Sequence, residues 1–171
     1  MKLVRALALA GSVASAAGLG LALPVLSSCT RVEQAPAVSY TLLDGHRSDL
    51  AALRGHVVLV NFWATDCAPC VEEMPAMVAN WRKFAPQGFE TLAVAMRYDP
   101  PALVSNFAQA RALPFGVVID NTGEVAHRLG DVQFTPTSLL INKRGEIVKR
   151  WIGKTDFEAL APLIAELERQ G

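Results

Sequence analysis

Residues 56–70 read HVVLVNFWATDCAPC. From His56 to Phe62 the chain is β-branched and apolar with hardly a polar break, which predicts a strand covered on both faces at a sheet centre. Cys67-Ala68-Pro69-Cys70 follows, and then Val71, Met74, Met77, Val78, Trp81 and Phe84 recur at helical spacing. The helix is therefore expected from about Cys67 to Phe84, with Pro75 inside it as a source of a kink. Two thiols three residues apart at a strand-to-helix junction have a clear chemical use. The first sits where unpaired N–H groups and the helix dipole favour its thiolate; the second, one turn on, resolves a mixed disulfide. Cys67 is the candidate nucleophile and Cys70 the resolving thiol. Structural zinc usually takes four ligands, whereas there is one CxxC, and His46, His56 and His127 show no ligand spacing.

Outward from this stretch the chain alternates strands and helices. Tyr40 to Leu43 reads as a strand and Asp44-Gly45 as a tight turn. Ser48 is placed to cap a short turn holding Leu50 and Leu53 and ended by Gly55. Thr91 to Met96 and Phe115 to Ile119 are further strands. Pro100-Pro101 suits the start of a helix carrying Leu103, Val104 and Phe107, and 121–129 is a short helix or turn. Thr137 to Ile141 and Glu146 to Trp151 flank Asn142-Lys143-Arg144-Gly145, a hairpin signature. Thr155 to Arg169 closes the chain as an amphipathic helix. This order argues for an α/β sandwich with a mixed sheet.

The amino terminus reads differently. After MKLVR, positions 6–30 carry no charge, the pattern of an export signal. The run ends Leu26-Ser27-Ser28-Cys29, which resembles the lipobox of bacterial lipoproteins, with Cys29 as the lipidated first residue. The alternatives are a retained membrane anchor, weakened as a helix by Gly11, Gly18, Gly20 and Pro24, and plain secretion. Each places the rest of the chain outside the cytoplasm. The expected organisation is a signal over 1–28, a tether over 29–37 and one domain over 38–171, since 171 residues suit a single domain. Lipidation of Cys29 would also explain an odd cysteine count of three, leaving Cys67 and Cys70 as the one pair. No basic block or aromatic–basic interleaving occurs, so no nucleic-acid partner is expected.

VVLVNFWATDCAPC, the following Val71-Glu72-Glu73-Met74-Pro75, DNTGEVA and the later FTPT together resemble the TlpA/ResA-like branch of the thioredoxin superfamily. The resemblance covers about residues 38–168. It implies a thioredoxin fold, a mixed central sheet flanked by helices, with an amino-terminal β-hairpin and a central insert. It implies thiol–disulfide oxidoreductase activity through a redox-active Cys67–Cys70 disulfide, with no separate cofactor and no metal. It implies that Pro136 is the cis-proline beside the dithiol, leaving the Thr135 backbone open to an extended client segment, with Pro69 and Trp63 completing the client site. Glu73 matches a family acid near the dithiol, able to carry protons as thiols exchange; Glu72 is expected to face solvent. The implied partners are disulfide-containing exported proteins, a membrane thiol-reductase that supplies electrons, and the membrane itself through the amino terminus. The implied place is the periplasmic side of a bacterial cell envelope, in tasks such as cytochrome c maturation or metal-centre assembly.

Two positions depart from thioredoxin itself. Asn61 stands where thioredoxin has a buried aspartate, which shifts proton handling toward Glu73. Asp66 stands where a tryptophan usually precedes the nucleophile, and its charge opposes the Cys67 thiolate. With no donor or cation in Ala68-Pro69, the pair is expected to act as a reductant, below about −200 mV, away from the strong-oxidant benchmark of about −120 mV. Three rival readings carry their own signatures. Copper(I) delivery would use the two thiolates, but related copper proteins carry CxxxC and a partner histidine, for which His127 is the one downstream candidate. A thiol peroxidase would need proline and threonine or serine where Val60 and Ala64 stand. A binding module would make Cys67→Ser and Cys70→Ser silent in redox assays.

Overall fold

The computed structural model describes residues 32–170. The expected signal and the candidate lipidation site Cys29 lie outside the described residues. Among the described residues no helix is long and apolar enough to cross a membrane.

The strand expected from the apolar run is β3, Val57–Trp63, buried at every position. It is the centre of a five-stranded mixed sheet. On one side it pairs in parallel with β4, Phe89–Ala95, which pairs in parallel with β5, Gly116–Ile119. On the other it pairs antiparallel with β6, Thr137–Ile141, which forms the expected hairpin with β7, Ile147–Ile152. The spatial order is β5-β4-β3-β6-β7. Side chains alternate across a strand, so Val58, Val60 and Phe62 pack under the amino-terminal segment and the short helix α3, Glu124–Arg128. Val57, Leu59 and Trp63 face the opposite layer: α1, Ala68–Phe84; α2, Pro101–Ala110; and α4, Phe157–Arg169. The helix α2 and strand β5 lie between β4 and α3 in the chain.

The amino-terminal hairpin is present as β1, Ser39–Thr41, against β2, Arg47–Asp49. Ser48 is not the cap of the next turn: it lies in β2 opposite Tyr40, and Asp49 caps the turn over Leu50–Leu53 by accepting from the Ala51 amide. The stretch read as tether is docked from Glu33 onward. The Glu33 carbonyl accepts from the Ile147 amide, Ala35 donates to Gly145, and both Ala35 and Val38 are buried. Short apolar residues at 35 and 38 and backbone pairing with the β6–β7 hairpin outweigh the loop-like composition of RVEQAPA.

Candidate functional site: a dithiol facing a cis-proline loop

The dithiol follows the end of β3, and Pro136 immediately precedes β6. Because these strands run antiparallel with Phe62 opposite Thr137, both loops are brought to the same end of the sheet. Cys67 is the N-cap of α1, extended in backbone, and its Sγ accepts from the Cys70 amide at 3.3 Å. The two cysteines form a disulfide, S–S 2.02 Å with Cα atoms 5.2 Å apart. Their environments differ as nucleophile and resolving thiol require. Cys67 is half-buried, whereas Cys70 is 2% exposed against Met74 and Met77. Asp66, the residue before Cys67, is exposed.

The Thr135–Pro136 peptide bond is cis. Among the described residues the Thr135 amide and carbonyl take part in no backbone–backbone hydrogen bond, while Pro136 O accepts from Gly153 N at 2.8 Å. Gly153 has φ +94, a left-handed backbone suited to glycine, and turns the chain out of β7. Phe134 is 71% exposed and Tyr98 56% exposed, and the Tyr98 hydroxyl lies 3.4 Å from the Thr135 hydroxyl. Pro69 is half-buried on the first turn of α1. Trp63 does not belong among residues that touch a client. It is fully buried, stacked at a tilt on Phe107 with centroids 5.1 Å apart, and supports the dithiol from within the core.

Glu73 lies one turn after Cys70, at the i, i+3 spacing that puts two side chains on one helix face. It is 6% exposed. Its Oε1 accepts from the Thr155 amide at 2.5 Å, and its Oε2 is buried without a partner among the described residues. Burial pushes its pKa above the ordinary glutamate range, against the opposing pull of the Thr155 amide and Lys154. Glu72 instead faces solvent and pairs with Lys154 at 2.6 Å.

Sequence reading missed Asp99. It is buried, and it accepts from both the amide and the hydroxyl of Thr65, each at 2.6 Å. Arg97 to Asp99 thus links the dithiol loop, through Asp99, to the cis-proline loop, through Tyr98. An aspartate before a Pro-Pro pair is the one local hint, and it does not name its partner. His127, the rival copper ligand, is exposed, with Nδ1 3.2 Å from Asp131.

Comparison with known proteins places this geometry. The Redoxin family profile matches residues 31–161. The thiol-disulfide oxidoreductase ResA of Halalkalibacterium halodurans is 39% identical over 115 residues, 66% of this chain and 64% of that protein, so this chain spans just under two thirds of its length. ResA of Bacillus thuringiensis subsp. konkukian is 33% identical over 135 residues, 79% of this chain and 77% of that protein. Among solved structures, a protein from Neisseria meningitidis assigned as a thioredoxin superposes with a TM-score of 0.75 at 37% identity, over 81% of this chain and 93% of that one. A thiol:disulfide interchange protein of the thioredoxin family from Chlorobium tepidum gives 0.74 at 25% identity, over 81% and 97%. A dithiol at a strand-to-helix junction, a cis-proline across from it and these matches lead to one assignment: the chain belongs to the Redoxin family, in its ResA-like branch of thioredoxin-fold thiol–disulfide oxidoreductases.

Proposed function

We propose that the protein is an envelope reductase of disulfides in exported clients, working through Cys67 and Cys70. The observation that carries the direction is the setting of Cys67. The first turn of α1 holds no cation, and Asp66 precedes the thiol, so the thiolate gains only the helix terminus. A weakly stabilised thiolate makes the reduced pair a willing donor.

In the reducing direction the Cys67 thiolate attacks a client disulfide. A Cys67–client disulfide forms and one client thiolate leaves. Cys70, deprotonated, then attacks the Cys67 sulfur. The Cys67–Cys70 disulfide forms and the second client thiolate leaves. Two electrons have passed to the client, which also takes up two protons. Glu73, on the face of α1 that carries Cys70, is the group to take the Cys70 proton, and its raised pKa suits that task. Thr135, Phe134 and Pro69 form the client-facing surface, over the buried Pro136. A dithiol donor in the membrane returns two electrons to the oxidised pair. Lipidation at Cys29 holds the domain at the envelope membrane, and the clients are exported proteins whose cysteines must be reduced, as in cytochrome c maturation or metal-centre assembly.

The test is the reduction potential of the pair, by equilibration against defined thiol buffers. A value below about −200 mV supports the reductant; a value near the strong-oxidant benchmark of about −120 mV overturns it.

A further inference from the structure

On the α3 side of the sheet a groove of about 300 Å³ lies next to the cis-proline loop. That is the low end of ligand pockets, with room for one or two side chains. Its floor is apolar: Met96 just after β4, Ala126 of α3 and Val132, all buried. Arg97 and Tyr98 line it from the segment after β4, His127 and Asp131 from α3 and the turn that follows. The groove is continuous with the client-facing surface at two points. The Tyr98 hydroxyl is 3.4 Å from the Thr135 hydroxyl, and the lining residues Val132 and Gln133 lead directly into Phe134.

The charge in this groove is unbalanced. Arg97 is exposed, and among the described residues its side chain forms no ion pair and no hydrogen bond. Its stem is nonetheless seated. It lies on Gly123, where a Cβ would stand 3.1 Å from Arg97 Cδ. Gly123 has φ +75, so glycine serves both the left-handed backbone and the close approach of the stem. Asp131, the carboxylate among the lining residues, already has a partner, its Oδ1 3.2 Å from His127 Nδ1. The groove thus offers a guanidinium with no anion over an apolar floor.

We propose that this groove is a specificity subsite for clients that carry an acidic side chain close to the cysteine under attack, with Arg97 as the residue that pairs with it. The proposal deepens the reading of the protein as a reductase of exported clients and rests on it. An extended client beside Thr135 advances about 3.3 Å per residue, so residues within about four of its cysteine lie within about 13 Å of it. Alternate side chains of such a segment point to one face. A glutamate there can lay its stem over Met96, Ala126 and Val132 and set its carboxylate against Arg97, whose planar fork suits that group.

The test uses the reduced full-length protein and short peptides closed by one disulfide. Each peptide carries glutamate, glutamine or lysine at one position near a cysteine, scanned along both flanks. The readout is the second-order rate constant of peptide reduction. At one or more positions glutamate should be favoured over glutamine by about threefold, the size of a partly exposed ion pair, and lysine disfavoured. Arg97→Gln should abolish the preference, and Arg97→Glu should turn it toward lysine. Arg82→Gln removes the same charge from an exposed position in the last turn of α1, far from the dithiol, and should keep the preference. Its loss there too would mark a general field of the protein and overturn the subsite. A preference that survives Arg97→Gln overturns it as well, as does equal reduction of all the peptides by the unaltered protein. Failure to reduce any of them would instead reject the functional reading, and the subsite with it.

Discussion

The Asp99 carboxylate holds Thr65 twice, through its amide and its hydroxyl, with both contacts at 2.6 Å. The pair is separated by 34 positions in sequence, and Thr65 is two residues before the nucleophile. Hydrogen bonds to a charged, buried group contribute about 1.5–3 kcal/mol each. Asp99→Ala should therefore lower stability by about 3–6 kcal/mol and slow disulfide exchange, because the loop carrying Asp66 and Cys67 loses its anchor. Thermal unfolding and single-turnover exchange check both. An unchanged melting temperature would remove the anchoring role.

Glu73 makes stability depend on pH in an uncommon sense for a carboxylate. Its folded pKa lies above the ordinary glutamate range, so between the unfolded and folded values the native state holds more protons than the unfolded one. Stability should therefore be highest below the ordinary glutamate range, fall as pH rises to the folded value, and level off beyond it. The slope in that window is at most about 1.4 kcal/mol per pH unit. Glu73→Gln should flatten the profile, as read by denaturant unfolding across weakly acidic pH. The same variant should slow the second exchange step by about 100-fold, the low end for a positioned proton carrier.

Asp66 is exposed, so its field at Cys67 is screened by water. Neutralising it with Asp66→Asn should lower the Cys67 pKa by less than about one unit, since a pair of charges at contact distance in water is worth about 1 kcal/mol. Thiolate absorbance against pH in the reduced protein measures the change. A rise would show that another group governs the thiol.

The two sulfurs should fail differently. Cys67→Ser removes the accessible nucleophile and should abolish exchange. Cys70→Ser leaves Cys67 able to attack but unable to release, so a client should remain covalently bound at Cys67. Mass spectrometry of the protein incubated with a disulfide peptide reads the adduct. No adduct with Cys70→Ser would reverse the assigned roles.

Phe134 lies mostly in solvent, so Phe134→Ser should shift stability by no more than about 0.5 kcal/mol. Its proposed use is at the client surface beside Thr135. The expected effect is a raised KM for peptide disulfides with little change in kcat; equal KM values would take Phe134 out of that surface.

The parts of this molecule legible in the sequence are those with local signatures. The apolar run of β3, the helical repeat of α1 and the turn residues of the β6–β7 hairpin each carry their own pattern, and the CxxC sits where two of them meet. The rest depends on partners far along the chain. Nothing near Asp99 names Thr65, and nothing near Asn61 names Ser138, the hydrogen-bond partner of its side chain 77 residues on. Trp63 shows the converse. The motif marks it as part of the site, but only its position on the inward face of β3 tells that it supports the dithiol and cannot meet a client. Ser48 and Asp49 are both capable caps, and the register of β1 with β2 decides between them.

The amino-terminal segment touches both outer strands of the sheet. Gln34 bridges to Glu146, just before β7, and Leu42 bridges to Val118 on β5. Outer strands with free backbone are templates for another chain, and proteins blunt them with covering segments or with charge. Here the covering segment is supplied from the same end of the chain as the expected export signal, and the part of β7 it leaves open carries Lys149 and Arg150. The domain is thus guarded against strand-to-strand aggregation by its own first residues, and a truncation that removed residues 32–43 would be expected to cost solubility before it cost redox chemistry.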